Sequence, residues 1–257
     1  MSQGGRWKNN FDFIKFMGAI LVMFSHSFAL VGISYDFEPL SYLTNNSCTF
    51  GKFAVNIFFI ISGYLVAKSW VRNPTFFKFF RNRILRIIPG LAVVTFLSVV
   101  IIGPIFTTLS LRNYFTDIKT WTYLENMALY KIHYSLPGVF EDNPYPIVVN
   151  GSLWTLPIEF LMYIILFSFG FLGLLNFRVI FLVIHTIVLL LTILYSSALN
   201  MHAIPYIGTF FCCFDLYIYF SSGVIFHLYE KQIKFNKKIL YLILIIWLCS
   251  FRTSFFT

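Results

Sequence analysis

Acidic side chains are scarce in this chain. Asp and Glu number ten in 257 residues, and all charged residues together make up 11%. Soluble domains carry about 25%. So few charges would leave a water-facing surface without its usual polar cover, which excludes an ordinary soluble globular domain and makes lipid the expected solvent. Cysteine is sparse too: Cys48, Cys212, Cys213 and Cys249 are the four. Three lie in apolar runs and no pair has metal-ligand spacing with nearby histidines, so they read as small packing residues and no metal is expected. No internal repeat is visible, which withholds support from an inverted-repeat transporter. The first apolar run is long and no small-residue cleavage site clearly follows it, so it is expected to be a span and not a removed leader.

What the chain has instead is apolar bulk: 58% hydrophobic residues, among them 33 Phe and 15 Tyr. The net charge of +9 sits in short clusters between apolar runs, the pattern of membrane topology, and no nucleic-acid partner is expected. A bilayer core takes about 20 apolar residues per helix. Seven candidate spans follow, near Phe11–Ile33, Phe53–Trp70, Ile84–Leu109, Leu153–Leu172, Phe177–Tyr195, Ile204–Leu228 and Ile239–Phe251. With the N-terminus in the cytoplasm, 14 of the 19 basic residues fall on the inner side and six of the ten acids on the outer side. That bias sets the orientation. The fold class expected is therefore all-α, a polytopic transmembrane helical bundle of about seven spans, in one membrane-embedded domain covering residues 1–257. One outer segment, Ser110–Asn150, is more polar than the rest, and a loop of that length is usually functional.

Ionisable groups inside spans are costly and therefore candidates for chemistry. His26 stands eleven positions after Lys15, about three helical turns, so the two share a face and His26 should lie about 16 Å deeper, in the outer half of the bilayer. The plainer reading is a histidine bonded to a neighbouring helix. Glu159 follows the polar, aromatic entry Asn150-Gly151-Ser152-Leu153-Trp154. Counted from the outer surface it comes some 8 Å deep, about level with His26; a carboxylate and an imidazole at equal depth can pair as orienter and base. The alternative is a packing glutamate held by another polar group. Asn56 is placed to bond His26 across helices. Arg83 and Arg86 are one turn apart on one face and would suit phosphate oxygens, although plain positive-inside anchoring explains such charges as well. Ser62-Gly63 permits close helix approach. With no base beside it in sequence, Ser62 is not read as a nucleophile. His185 and Asp215 are further polar groups within spans, for which structural pairing is the default.

Four segments together resemble the acyltransferase 3 family of integral membrane acyltransferases, which includes bacterial O-antigen acetylases and nodulation-factor acetylases. They are Phe11-Asp12-Phe13-Ile14-Lys15 leading to Ser25-His26-Ser27, then Val55-Asn56-Ile57-Phe58-Phe59-Ile60-Ile61-Ser62-Gly63-Tyr64, then Arg83-Ile84-Leu85-Arg86-Ile87-Ile88-Pro89, and Ser152-Leu153-Trp154-Thr155-Leu156-Pro157-Ile158-Glu159. Their order and topology carry the likeness, over about residues 11–165. The resemblance implies transfer of an acyl group, usually acetyl, from acyl-coenzyme A to a carbohydrate hydroxyl at a bacterial inner membrane. It implies that His26 is catalytic, as base or transient acyl carrier, that Lys15 helps hold the donor, and that Arg83 and Arg86 bind coenzyme A phosphates from the cytoplasm. Glu159 as the orienter of His26 is an inference from depth and not a family role. The chain departs from the family in having Asn56 where an acid is common, and in length, since relatives carry several more spans. Either those helices are dispensable here or the chain is a truncated, inactive product. A secondary transporter is the competing class, and coenzyme A dependence separates it from an enzyme.

Overall fold

The computed structural model describes residues 10–198 and 205–233, with Asn236, Lys238 and Tyr241. Among the described residues it is helical, and its only β feature is an isolated antiparallel bridge between Thr107 and Val139. Four helical runs are long and apolar enough to cross a bilayer: Phe11–Leu30, Phe50–Arg72, Phe76–Phe106 and Gly151–Phe171. Two further apolar stretches, Arg178–Leu194 and Cys213–Leu228, lie in later helices. All six coincide with expected spans. The seventh expectation, Ile239–Phe251, lies outside the described residues apart from Tyr241.

Helix α1 (Phe11–Leu30) ends where Gly32 takes a positive φ of 77°. A linker holding the short α2 (Pro39–Leu43) leads to α3 (Phe50–Arg72), which starts on Thr49, whose hydroxyl accepts from the Lys52 N–H at 3.0 Å. That contact supplies one of the orphan donors of a helix start with its partner. Helix α3 is the centre of the bundle, packing on α1, on α8 (Thr155–Phe171) and most extensively on α10 (Pro205–Leu228). The α3–α10 crossing is close because Gly63 faces the Phe220 carbonyl and Gly223 faces the Ile60 carbonyl, as the Ser62-Gly63 pair led one to expect. Helix α9 (Arg178–Ala198) lies against α10, and His185 Nδ1 meets Ser221 Oγ at 2.8 Å between them. This is the structural pairing expected of His185.

Helix α4 (Phe76–Leu97) carries Pro89 in its interior and then widens into a π-helical turn over Ser98–Ile102 before finishing as α5 (Gly103–Phe106). Where α3 ends and α4 begins, Trp70, Phe79 and Phe167 form a ring cluster with centroids 5.4–6.0 Å apart. The outward face of α1 is bare, with Phe13, Phe16 and Met23 each more than 60% exposed. Lipid is the solvent such a face requires.

The polar outer segment is a packed cap and not an open loop. Helices α6 (Leu111–Thr116) and α7 (Ile118–Thr122) and a 3-10 turn over Tyr123–Ala128 enclose Tyr114, Tyr123, Leu136 and Val139, all 2% exposed or less. Buried Asn126 fastens the following strand of chain, donating from its amide to the His133 carbonyl at 3.0 Å and accepting from the His133 N–H at 2.8 Å. The Tyr114 hydroxyl donates to the Val99 carbonyl in the π turn at 2.9 Å.

Candidate active site

Helices α1 and α3 run antiparallel, and their contacts give a ruler for depth. The Phe11 and Tyr64 rings meet at 5.4 Å, Gly18 lies under the Phe58 ring, the Phe24 and Phe50 rings meet at 5.8 Å, and Ser25 abuts Gly51. His26 is thus at the outer head of α3, and Lys15 is near the level of Ile61 and Ser62. Lys15 Nζ lies 3.5 Å from Asp12 of its own helix.

Glu159 is level with Lys15 and not with His26. Its Oε1 accepts from Ser62 Oγ at 3.0 Å and from the Tyr163 hydroxyl, and Arg86 Nη2 stands 3.7 Å away. Ser62 is eleven residues below Gly51, so this carboxylate lies about 16 Å inward of His26 at 1.5 Å per residue. The expectation that Glu159 orients His26 is corrected accordingly. Counting from one shared surface sets the two level, but α8 starts lower than α3. Glu159 is within the first turns of α8, whereas Ser62 is more than three turns into α3. The cross-helix bond expected between Asn56 and His26 is also absent among the described residues: the Asn56 side chain lies between the two levels without a hydrogen bond to them, and His26 Nδ1 meets the Tyr35 hydroxyl at 3.2 Å.

The two arginines differ. Arg83 is 8% exposed, its guanidinium 5.5 Å from the centre of the Tyr163 ring and 5.9 Å from that of Phe79, and its Nε has no partner among the described residues. Arg86 is partly open and ion-paired to Glu159. Both lie within α4, ahead of Pro89. Beside them is an open cleft of about 270 Å³ between α4 and the start of α8, with Arg86 and Glu159 at one part of its wall, Asn150 at another, and Ile87, Leu91, Val94 and Leu153 between. Gly90 faces this opening with no atom near where a Cβ would stand.

Around His26 a second polar group forms that the residue patterns did not reveal. Glu38, in the linker between α1 and α3, is fully buried. Its carboxylate accepts from Ser25 Oγ at 2.9 Å and from the Phe50 N–H at the head of α3. The Tyr35 phenol is held above its ordinary value by burial first, then by Tyr145 and the negative charge of Glu38. Burial also pushes the nearby Cys48 thiol up. Of the site residues missed, Tyr163 had a signal in sequence, since it follows Glu159 by one turn on α8. Tyr35 and Glu38 had none, because they belong to a linker with no periodicity.

A family model described as an acyltransferase domain matches residues 8–256. An "O-acetyl transferase" of Shigella phage Sf6 is 35% identical over 157 residues, which is 61% of this chain and 44% of that protein. "Nodulation protein 10" of Rhizobium leguminosarum bv. viciae is 33% identical over 167 residues, 62% of this chain and 43% of that protein. The matched stretch spans less than half the length of either relative. No solved structure matches the chain.

Proposed function

This chain belongs to the acyltransferase 3 family, and from that premise we propose that it transfers an acyl group, acetyl by preference, from acyl-coenzyme A to a hydroxyl of a cell-surface or lipid-linked carbohydrate. The setting proposed is a bacterial inner membrane, crossed several times. The observation that carries this reading is the spacing of two polar levels. Arg86 and Glu159 are paired beside the middle of α3, Lys15 is at a similar level on α1, and His26 stands about 16 Å away along the same α1–α3 pair.

A donor with charged phosphates at one end and a reactive thioester at the end of a long pantetheine arm has that shape. Arg86, released from Glu159, takes phosphate oxygens, with Lys15 adding charge. Arg83 holds Tyr163 and the cleft wall in place and offers its free Nε. Asn56, at an intermediate level, is assigned to the amides of the arm. The thioester then reaches His26 at the outer end, where a carbohydrate acceptor arrives. His26 takes the proton from the acceptor hydroxyl as that oxygen attacks the thioester carbonyl. The carbon–sulfur bond breaks, and the coenzyme A thiolate leaves with the proton returned by the imidazolium. A neutral imidazole suits both halves of this exchange near neutral pH.

The test is transfer of label from radioactive acetyl-coenzyme A to a bacterial polysaccharide extract by the purified protein in nanodiscs, beside His26→Ala. Labelled glycan from the wild type and none from the variant supports the enzyme. Equal labelling from both removes His26 from the mechanism. No coenzyme A binding at all favours a transporter or an inactive chain.

A further inference from the structure

The Tyr35 contact offers a role that neither the family membership nor the spacing of motifs assigns. We propose that Tyr35 is the positioning residue of His26: its hydroxyl oxygen accepts from Nδ1–H, so that the Nε2 lone pair is the one turned to the acceptor hydroxyl. This rests on reading His26 as the base of acyl transfer. An imidazole has two tautomers, and the one present is set by the bond its other nitrogen makes. Here that bond is the 3.2 Å contact from Nδ1 to Tyr35.

Tyr35 is held in place by the linker, not by a span. The Glu38 N–H donates to the Tyr35 carbonyl at 3.0 Å, and the Glu38 carboxylate is tied to Ser25 and to the head of α3. One buried side chain therefore fastens the linker to both helices that frame His26. The phenol stays protonated as the reaction proceeds, because burial, Tyr145 and Glu38 all oppose its ionisation. Other titratable groups near this corner are Cys48 in the linker, which feels both Glu38 and Lys52, Lys52 itself in the first turn of α3, Asp36 beside Tyr35 on Ser34, Tyr134 next to Tyr145, and, from α10, Tyr219 and Asp215, the former within reach of Cys48.

Two readouts on Tyr35→Phe test the assignment, with the exposed Tyr42→Phe (75% exposed) as control. The first is catalytic: kcat falls about tenfold or more while KM for acetyl-coenzyme A stays put, the pattern of an impaired base. The second needs no activity. Diethyl pyrocarbonate modifies neutral imidazole, and the His26 peptide can be followed by mass spectrometry across pH. Losing an acceptor that stabilises the imidazolium moves the midpoint of modification to lower pH. A midpoint that moves up would mean that the tyrosine donates to Nδ1, and would overturn the tautomer. An unchanged midpoint and unchanged kcat would overturn the positioning role outright, while activity in the wild type still upheld the enzyme. A wild type that transfers nothing, with a midpoint that still falls in the variant, would uphold the Tyr35–His26 bond and sink the enzymatic reading.

Discussion

Replacing Glu159 with glutamine tests whether the inner polar level is a keystone of the bundle or a loose group lining a cleft. The carboxylate takes two hydroxyl hydrogen bonds, from Ser62 and Tyr163, and faces Arg86 at 3.7 Å. Glutamine keeps an acceptor for the hydroxyls but loses the charge. A hydrogen bond to a charged group contributes about 1.5–3 kcal/mol and a neutral one about 0.5–1.5, so each hydroxyl gives up about 1 kcal/mol. The Arg86 pair is partly open to solvent, with side chains 39% and 20% exposed, and screening limits its loss to about 1 kcal/mol. The sum is about 3 kcal/mol. At about 2–4 °C per kcal/mol for a chain of this size, the midpoint of thermal unfolding falls by roughly 6–12 °C. Glu159→Ala falls further, because both hydroxyls then lose their acceptor in an apolar interior. The measurement is unfolding in nanodiscs followed by tryptophan fluorescence, for wild type, Glu159→Gln, Glu159→Ala, Tyr163→Phe and the Gln–Phe double variant. The double variant should lose less than the sum of its parts, since Glu159 and Tyr163 share one bond. A glutamine variant as stable as wild type, or less stable than the alanine one, would refute the reasoning.

The two arginines separate under substitution. Arg86→Ala raises KM for acyl-coenzyme A and loses at most about 1 kcal/mol from its pair with Glu159, whereas Arg83→Ala leaves KM nearly unchanged and lowers the unfolding midpoint further, because its guanidinium packs on the Tyr163 and Phe79 rings; titrating donor against each variant and melting both checks the split. The cap carries a pH signature. Burial, and after it Tyr123, pushes the Tyr114 phenol up to about 12 from its ordinary 10. A raised folded value means that the bond to Val99 stabilises fully below pH about 10 and is lost as pH climbs through about 12. Limited proteolysis of the cap should therefore quicken above pH about 10, and Tyr114→Phe should show faster cleavage already at neutral pH and no such step.

Spans were legible because hydropathy over some twenty residues is a property of the segment alone. Depth was not, because it depends on where each helix begins relative to its neighbours. The Glu159 register failed for that reason: the first turns of α8 lie beside the middle of α3, under the cap, and nothing local to Asn150–Glu159 states it. His26 and Lys15, on a single helix, kept the separation that counting gave them. Arg83 and Arg86 were legible as a pair but not in their difference, which comes from the Tyr163 ring of another helix. Tyr35 and Glu38 act across a turn between spans, where no repeat of apolar residues marks which side chain faces inward.

The wide turn at Ser98–Ile102 has a consequence for how the protein is made. In hydrocarbon every backbone carbonyl needs a partner within the protein, and a π turn commonly leaves a helix short of one. For Val99 a partner is the Tyr114 hydroxyl, fifteen residues later in the chain and part of the cap. A nascent α4 that enters the membrane before its outer segment has crossed holds that carbonyl bare. Insertion of the helix and folding of the cap are therefore parts of one event, and a stalled translocation of residues 107–150 would be registered inside the bilayer as well as beyond it.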